Sequence, residues 1–149
     1  MSEPTADESS TAAGKLPDTT APPDAINLNV AGKQLAGPER GFGQLWRKAY
    51  RIRMAGADVT PRDVITRWKD NFPNYWPEGS DFYGSRPRIE AGEVALINIE
   101  GPAHAPIATG IAVVQADDDS FAFMTPQGHV FAGLLTFSAA RDGDATAAQ

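Results

Sequence analysis

SFAFMTPQGHVFAGLLTF, running from Ser120 to Phe137, is the stretch whose reading decides the fold. Before its centre, Phe121 and Phe123 alternate with Ala122 and Met124, so one face of a strand carries two aromatic rings. After it, Phe131, Gly133, Leu135 and Phe137 share one face, with Ala132, Leu134 and Thr136 on the other. Thr125-Pro126-Gln127-Gly128 suits a tight connection: Pro126 presets φ for a type I turn, and Gly128 suits a left-handed bulge position. The pattern therefore predicts an antiparallel hairpin with a loop of about three to five residues.

The chain has 149 residues, which favours one domain. Its formal net charge is −6, shared equally between residues 1–40 and 41–149. This mildly acidic balance argues against a general binder of nucleic-acid backbones. The absence of cysteine excludes disulfides, thiolate metal sites and cysteine nucleophiles. The opening MSEPTADESS has neither the basic start nor the apolar core of a signal peptide, and no apolar run reaches bilayer-spanning length. A cytoplasmic protein without stable membrane insertion is the expectation.

Residues 1–40 are rich in Pro, Ser, Thr, Ala and Asp and offer little apolar surface to bury, so they read as a disordered acidic tail. Within them, Ile26, Leu28 and Val30 alternate weakly. The folded part is expected over 41–149. Tyr50, Ile52 and Met54 alternate with Arg51 and Arg53, a half-buried strand with an arginine face. With Arg47 and Lys48, those arginines raise the idea of an anion site, but a solvated face paired to acids is the simpler reading.

Thr60-Pro61-Arg62-Asp63 is a helix start: a capping hydroxyl, a proline at the first position and an acid closing the box. Val64, Ile65 and Trp68 give the helix an apolar stripe, and Pro73 should end it. An aromatic, proline-punctuated segment follows. Strands are then expected at Val94–Ile99 and Ile107–Gln115, with a turn at Asp117–Asp119, the central hairpin, a turn at Arg141–Asp144 and the start of a further strand. The fold class is therefore α+β, an antiparallel sheet with one or two short helices after its first strand.

This order resembles the SRPBCC superfamily, the helix-grip fold of START lipid-transfer domains and polyketide cyclases. The resemblance rests on the strand at Tyr50–Met54, the helix start at Thr60–Asp63 and the aromatic-proline close at Phe72–Pro77. The F-x-F-M-T-P-x-G-H-x-x-x-G run from Phe121 to Gly133 is similar to the Gly-His turn of small actinobacterial members. The superfamily finishes with a last strand and a long carboxy-terminal helix that forms one wall of its cavity. No helical pattern follows Phe137, so the resemblance implies a truncated member, or one whose missing wall comes from a partner or a second copy.

Few residues carry candidate chemistry. His104 and His129 have no metal-ligand spacing, and Asp117–Asp119 lacks the glycine and glutamate of a calcium loop, so no metal and no cofactor are expected. Glu93 and Glu100 flank one strand without defining a carboxylate pair. No catalytic residue can be assigned. The remaining candidate is a pocket formed by Tyr75, Trp76, Phe82, Tyr83, Phe121, Phe123, His129 and Phe131, aromatic bodies with a few polar tips. For a folded part that needs one hydrophobic core, core is the simpler reading of these rings.

The resemblance then implies a non-catalytic module for a small apolar or amphipathic ligand. The alternatives are a cyclase- or hydratase-like enzyme using His129 or a tyrosine, and an interaction module docking a partner or its twin through an open sheet.

Overall fold

The computed structural model describes residues 33–56 and 58–149. Most of the expected tail, including the Ile26–Val30 alternation, lies outside the described residues. The eight main elements are β1 (Ile52–Met54), α1 (Pro61–Asn71), β2 (Ser80–Gly84), β3 (Val94–Glu100), β4 (Pro106–Ala116), β5 (Ser120–Met124), β6 (Leu134–Asp142) and β7 (Ala145–Ala148). All seven strands form one antiparallel sheet in the order β1-β7-β6-β5-β4-β3-β2. From β2 onward it is a meander, and β1 returns to pair with the last strand. The class is α+β, with one α-helix after the first strand.

The helix begins as its sequence dictates. The Thr60 hydroxyl accepts from the Asp63 amide at 3.1 Å, and the Asp63 carboxylate accepts from the Thr60 amide at 2.9 Å. The Thr60 hydroxyl also donates to the Asp63 carboxylate at 2.6 Å, and this bond, with that from the Thr60 amide, holds the Asp63 carboxyl below its ordinary pKa. Pro73 lies just past the last α-helical residue, and the chain tightens into a 3₁₀ turn over Phe72–Tyr75. The buried Lys69 sends its ammonium to the Asp117 carbonyl at 2.7 Å, tying the helix to the β4–β5 turn. Arg62 pairs with Asp118 in the same turn. The Thr146 hydroxyl donates to the Val59 carbonyl at 2.6 Å and fastens β7 to the segment entering the helix.

The helix-bearing face of the sheet holds the main core. Ile65 and Phe72 pack with Phe82, Ile97, Ile111, Val113, Phe121, Phe123 and Ala139, flanked by Val64, Trp68, Trp76 and Phe137. Phe72 is its hub, with ring centroids 5.1–5.8 Å from those of Trp76, Phe82, Phe121, Phe123 and Phe137. Burying each such ring stabilises by about 1.5–3 kcal/mol. A bulge between Val113 and Gln115 re-phases β4, so that Val113 and Ala116 both face the helix. The opposite face carries a smaller cluster of Val94, Leu96 and Ala112 under Leu35 and Tyr83.

Several expectations are corrected. The hairpin around His129 is wider than a tight turn: β5 ends at Met124 and β6 starts at Leu134, leaving residues 125–133 as the loop. Phe131 and Gly133 are thus loop residues, and β6 runs on to Asp142. The reason is a second pairing partner: Leu35 bridges Pro126, the Ala36 amide donates to the Thr125 carbonyl at 2.8 Å, and Gln127 donates to the Gln34 carbonyl at 2.8 Å. Residues 34–37 accordingly belong to the fold rather than to a tail.

Gly128 is left-handed at φ +86°, as expected, but Pro126 stands at the first turn position, its carbonyl accepting from the His129 amide. The strand at the basic stretch is only Ile52–Met54, with Tyr50 and Ile52 exposed, because it is an edge strand supported on one side alone. Its arginines do meet acids: Arg51 pairs with Asp142 at 3.0 Å and Arg53 with Asp144 at 2.8 Å. The strand expected after the Arg141–Asp144 turn is β7, which pairs with both β6 and β1. Ser80–Gly84 adds a strand where the sequence suggested only an aromatic loop.

Truncating the hub should therefore cost far more than disturbing the turn. Phe72→Ala is expected to destabilise by about 3–5 kcal/mol. Gly128→Ala should cost only about 1–2 kcal/mol, since an added Cβ meets nothing within 4 Å and only the left-handed backbone resists it. Urea denaturation followed by tryptophan fluorescence measures both.

Candidate functional site

The helix covers only part of its face of the sheet. Beyond Phe72 the 3₁₀ turn ends in Trp76, and the strands continue past it. Between Trp76 and the loop 125–133 lies an apolar cavity of about 260 Å³. Its floor is Ile97 and Ile99 of β3, Ile111 of β4 and Phe123 of β5, all projecting to the helix-bearing side. Leu134 and Leu135 of β6 and Phe131 of the loop form the rim. The volume lies below the roughly 300–1,000 Å³ usual for drug-sized ligands, so it suits a small molecule.

Besides Thr125, two lining residues carry polar side-chain groups, Trp76 and His129. The Trp76 indole Nε1–H is buried without a hydrogen-bond partner among the described residues. Buried N–H groups are nearly always paired, and an unpaired one costs about 1–3 kcal/mol. The second is His129, which is half-buried. Its Nδ1 lies 3.0 Å from both the amide nitrogen and the carbonyl oxygen of Phe131, so it accepts from the one or donates to the other according to tautomer. Burial holds the ring's pKa below its ordinary value, against the opposing pull of the Phe131 carbonyl.

The loop carrying His129 is fixed at its base. The Thr125 hydroxyl donates to the Ala36 carbonyl at 2.8 Å and accepts from the Gly133 amide at 2.9 Å, while the Thr125 amide donates to the Gly133 carbonyl at 3.2 Å. The Gly133 end is thereby closed onto Thr125, and residues 34–36 brace the outside.

Of the eight residues suggested by sequence, Trp76, Phe123, His129 and Phe131 line the cavity. Phe82 and Phe121 are buried in the core beneath, with Phe121 stacked on Phe137 at 4.7 Å. Tyr75 is exposed on the 3₁₀ turn, and Tyr83 packs on the opposite face of the sheet with Val94 and Leu96. Sequence reasoning missed Ile97, Ile99, Ile111 and Leu135. The i, i+2 spacing of Ile97 and Ile99 was a usable signal, but only the register says which face of β3 is covered.

The other candidate groups lie elsewhere. Glu93 precedes β3 and is buried, accepting from the Arg86 amide at 3.0 Å and the Glu90 amide at 3.2 Å; burial raises its pKa. Glu100 ends the same strand and pairs with the exposed His104. At about 3.3 Å per residue the backbone positions of Glu93 and Glu100 lie roughly 23 Å apart, at the two ends of β3. Among the described residues there is no group of three or more His, Asp or Glu placed to hold a metal ion, and no helix long and apolar enough to cross a membrane.

No family model matches the chain, and no curated protein matches it. Among solved structures it is similar to protein Ms6760 from Mycobacterium smegmatis, at 13% identity and a TM-score of 0.45, with 66% of each chain covered.

A histidine whose pKa is depressed by folding binds its proton less tightly in the folded state. Its contribution to stability is present above the ordinary pKa of 6.5 and is lost as pH falls through the folded value. Glu93 has the opposite sign at lower pH, since its raised pKa favours the folded state on acidification. Thermal melts across a pH series should show wild type losing stability below about pH 6.5 relative to His129→Gln, with the two converging at higher pH.

Proposed function

We propose that this chain is a non-catalytic module that binds a small apolar or amphipathic ligand in the cavity between Trp76 and the loop 125–133. The observation that carries the reading is a space lined almost wholly by apolar side chains, with Thr125 and His129 at its edge. A ligand with a short hydrocarbon body would cover Ile97, Ile99, Ile111 and Leu135, and a polar end would meet His129 at the edge. Covering apolar area contributes about 25 cal/mol per Å² before the cost of association. Small sites of this kind bind through shape and apolar burial, with few polar groups fixing orientation.

A cyclase- or hydratase-like enzyme in the same pocket is the weaker reading. Such chemistry needs acid and base groups with separated pKa values. His129 is the one titratable side chain lining the cavity among the described residues, and neither Tyr75 nor Tyr83 borders it. The binding reading requires no second group.

Isothermal titration of the full chain with octanol and with octane-like alkanes in detergent-free buffer tests the proposal. Octanol is expected to bind, and Ile99→Trp, which fills the cavity, should weaken binding at least tenfold while leaving the circular dichroism spectrum unchanged. His129→Phe keeps the wall but removes the polar edge, and should reduce the preference for alcohol over alkane. Equal octanol affinity in wild type and Ile99→Trp would overturn the site.

A further inference from the structure

A second feature stands apart from the cavity's chemistry. From Gly41 to Arg51 the chain runs exposed and without regular structure, before β1 joins the sheet. Phe42 is fully exposed; Leu45, Trp46, Tyr50 and Ile52 are each more than two-thirds exposed. Large apolar side chains presented this way over eleven residues are an unusual concentration, since scattered single ones are the ordinary case. The same segment is strongly basic. Arg40, Arg47, Lys48, Arg51 and Arg53 are five of the chain's thirteen Lys and Arg, and no Asp or Glu lies between them. Arg51 and Arg53 are held by Asp142 and Asp144. Arg40, Arg47 and Lys48 have no ion pair among the described residues. On a chain of net charge −6, this is the place where positive charge collects.

Across a cleft of about 1000 Å³, the segment faces the loop 125–133 and its neighbours, where Val130, Phe131 and Leu134 are also exposed. Phe131 and Leu134 also line the smaller cavity, so its mouth opens beside the basic, aromatic segment.

We propose that residues 40–50, with the rim at Val130 and Phe131, dock the protein on an anionic lipid surface. Trp and Tyr favour the headgroup level of a bilayer, Phe and Leu reach just below it, and unpaired Arg and Lys answer its negative charge. Charge decides for this occupant. A second copy docked by the same face would set the same unpaired cations against themselves, and an apolar protein partner would leave Arg40, Arg47 and Lys48 without a use. The surface is peripheral: side chains enter the interface while the backbone remains in water, as an extended chain with unsatisfied N–H and C=O groups must.

Vesicle flotation with the full chain is the test, using phosphatidylcholine vesicles with and without phosphatidylglycerol. Binding is expected on the anionic vesicles alone, falling with added salt, with a blue shift in tryptophan emission. Trp46→Phe should keep binding and lose most of the shift. Each surface Lys or Arg contributes about 1 kcal/mol, so Arg47→Gln with Lys48→Gln should weaken binding roughly thirtyfold. Phe42→Ser with Trp46→Ser should abolish it, and both double variants should melt like wild type because the altered side chains are exposed. Ile99→Trp should still float, so loss of the ligand site and loss of the docking face are separable. Failure to float with anionic vesicles, equal floating with neutral ones, or concentration-dependent self-association that vesicles do not reverse would each overturn the proposal.

Discussion

The contact on which the rest depends is the burial of Phe72 at the end of the helix. Its ring meets Phe82 from β2, Phe121 and Phe123 from β5, Phe137 from β6 and Trp76 from its own 3₁₀ turn, mostly edge to face. One side chain thus fastens the helix to β2, β5 and β6. Each ring pair adds about 0.5–1.5 kcal/mol beyond its buried area, although neighbours in such a cluster do not add independently. Lys69, Arg62 and Thr146 then fix the helix's direction, since their bonds reach the β4–β5 turn and the chain leading from β1.

The cavity follows from where that cluster stops. A helix of eleven residues is about 16 Å long and cannot span a seven-stranded sheet with neighbours about 4.8 Å apart. Trp76 closes the cluster on one side, and the loop 125–133 stands opposite, held there by Thr125, Gly133 and residues 34–36. Ile97, Ile99 and Leu135 lie between them with no helix above. The same residues that finish the core on one side therefore wall the open space on the other, which is why Trp76 and Phe123 belong to both.

Charge is distributed with the same separation. Acidic residues at Asp118, Asp142 and Asp144 sit at the two turns nearest the helix and β1, where Arg62, Arg51 and Arg53 pair with them. Surface pairs of this kind contribute only about 0–1 kcal/mol each, so their effect is mainly to place the strands' ends. Arg40, Arg47 and Lys48, which have no ion pair among the described residues, lie near exposed aromatic rings on the side of the cavity mouth.

The local elements were legible in the sequence because their causes are local. Thr60, Pro61 and Asp63 specify a helix start with their own atoms, Pro73 stops the helix, and alternation over β3, β4 and β5 marks strands whatever surrounds them. The aromatic residues were legible as a group, but their division between core and cavity was not. Phe121 and Phe131 look alike in the sequence; one is completely buried and the other mostly exposed, because the hairpin loop extends to residue 133 when residues 34–37 pair with it. That pairing joins positions about ninety residues apart. The bulge in β4, the choice of face for Ile97 and Ile99, and the opposite-face position of Tyr83 depend likewise on register between strands. A periodic pattern states that two faces exist, and only the packed sheet determines which one the helix covers.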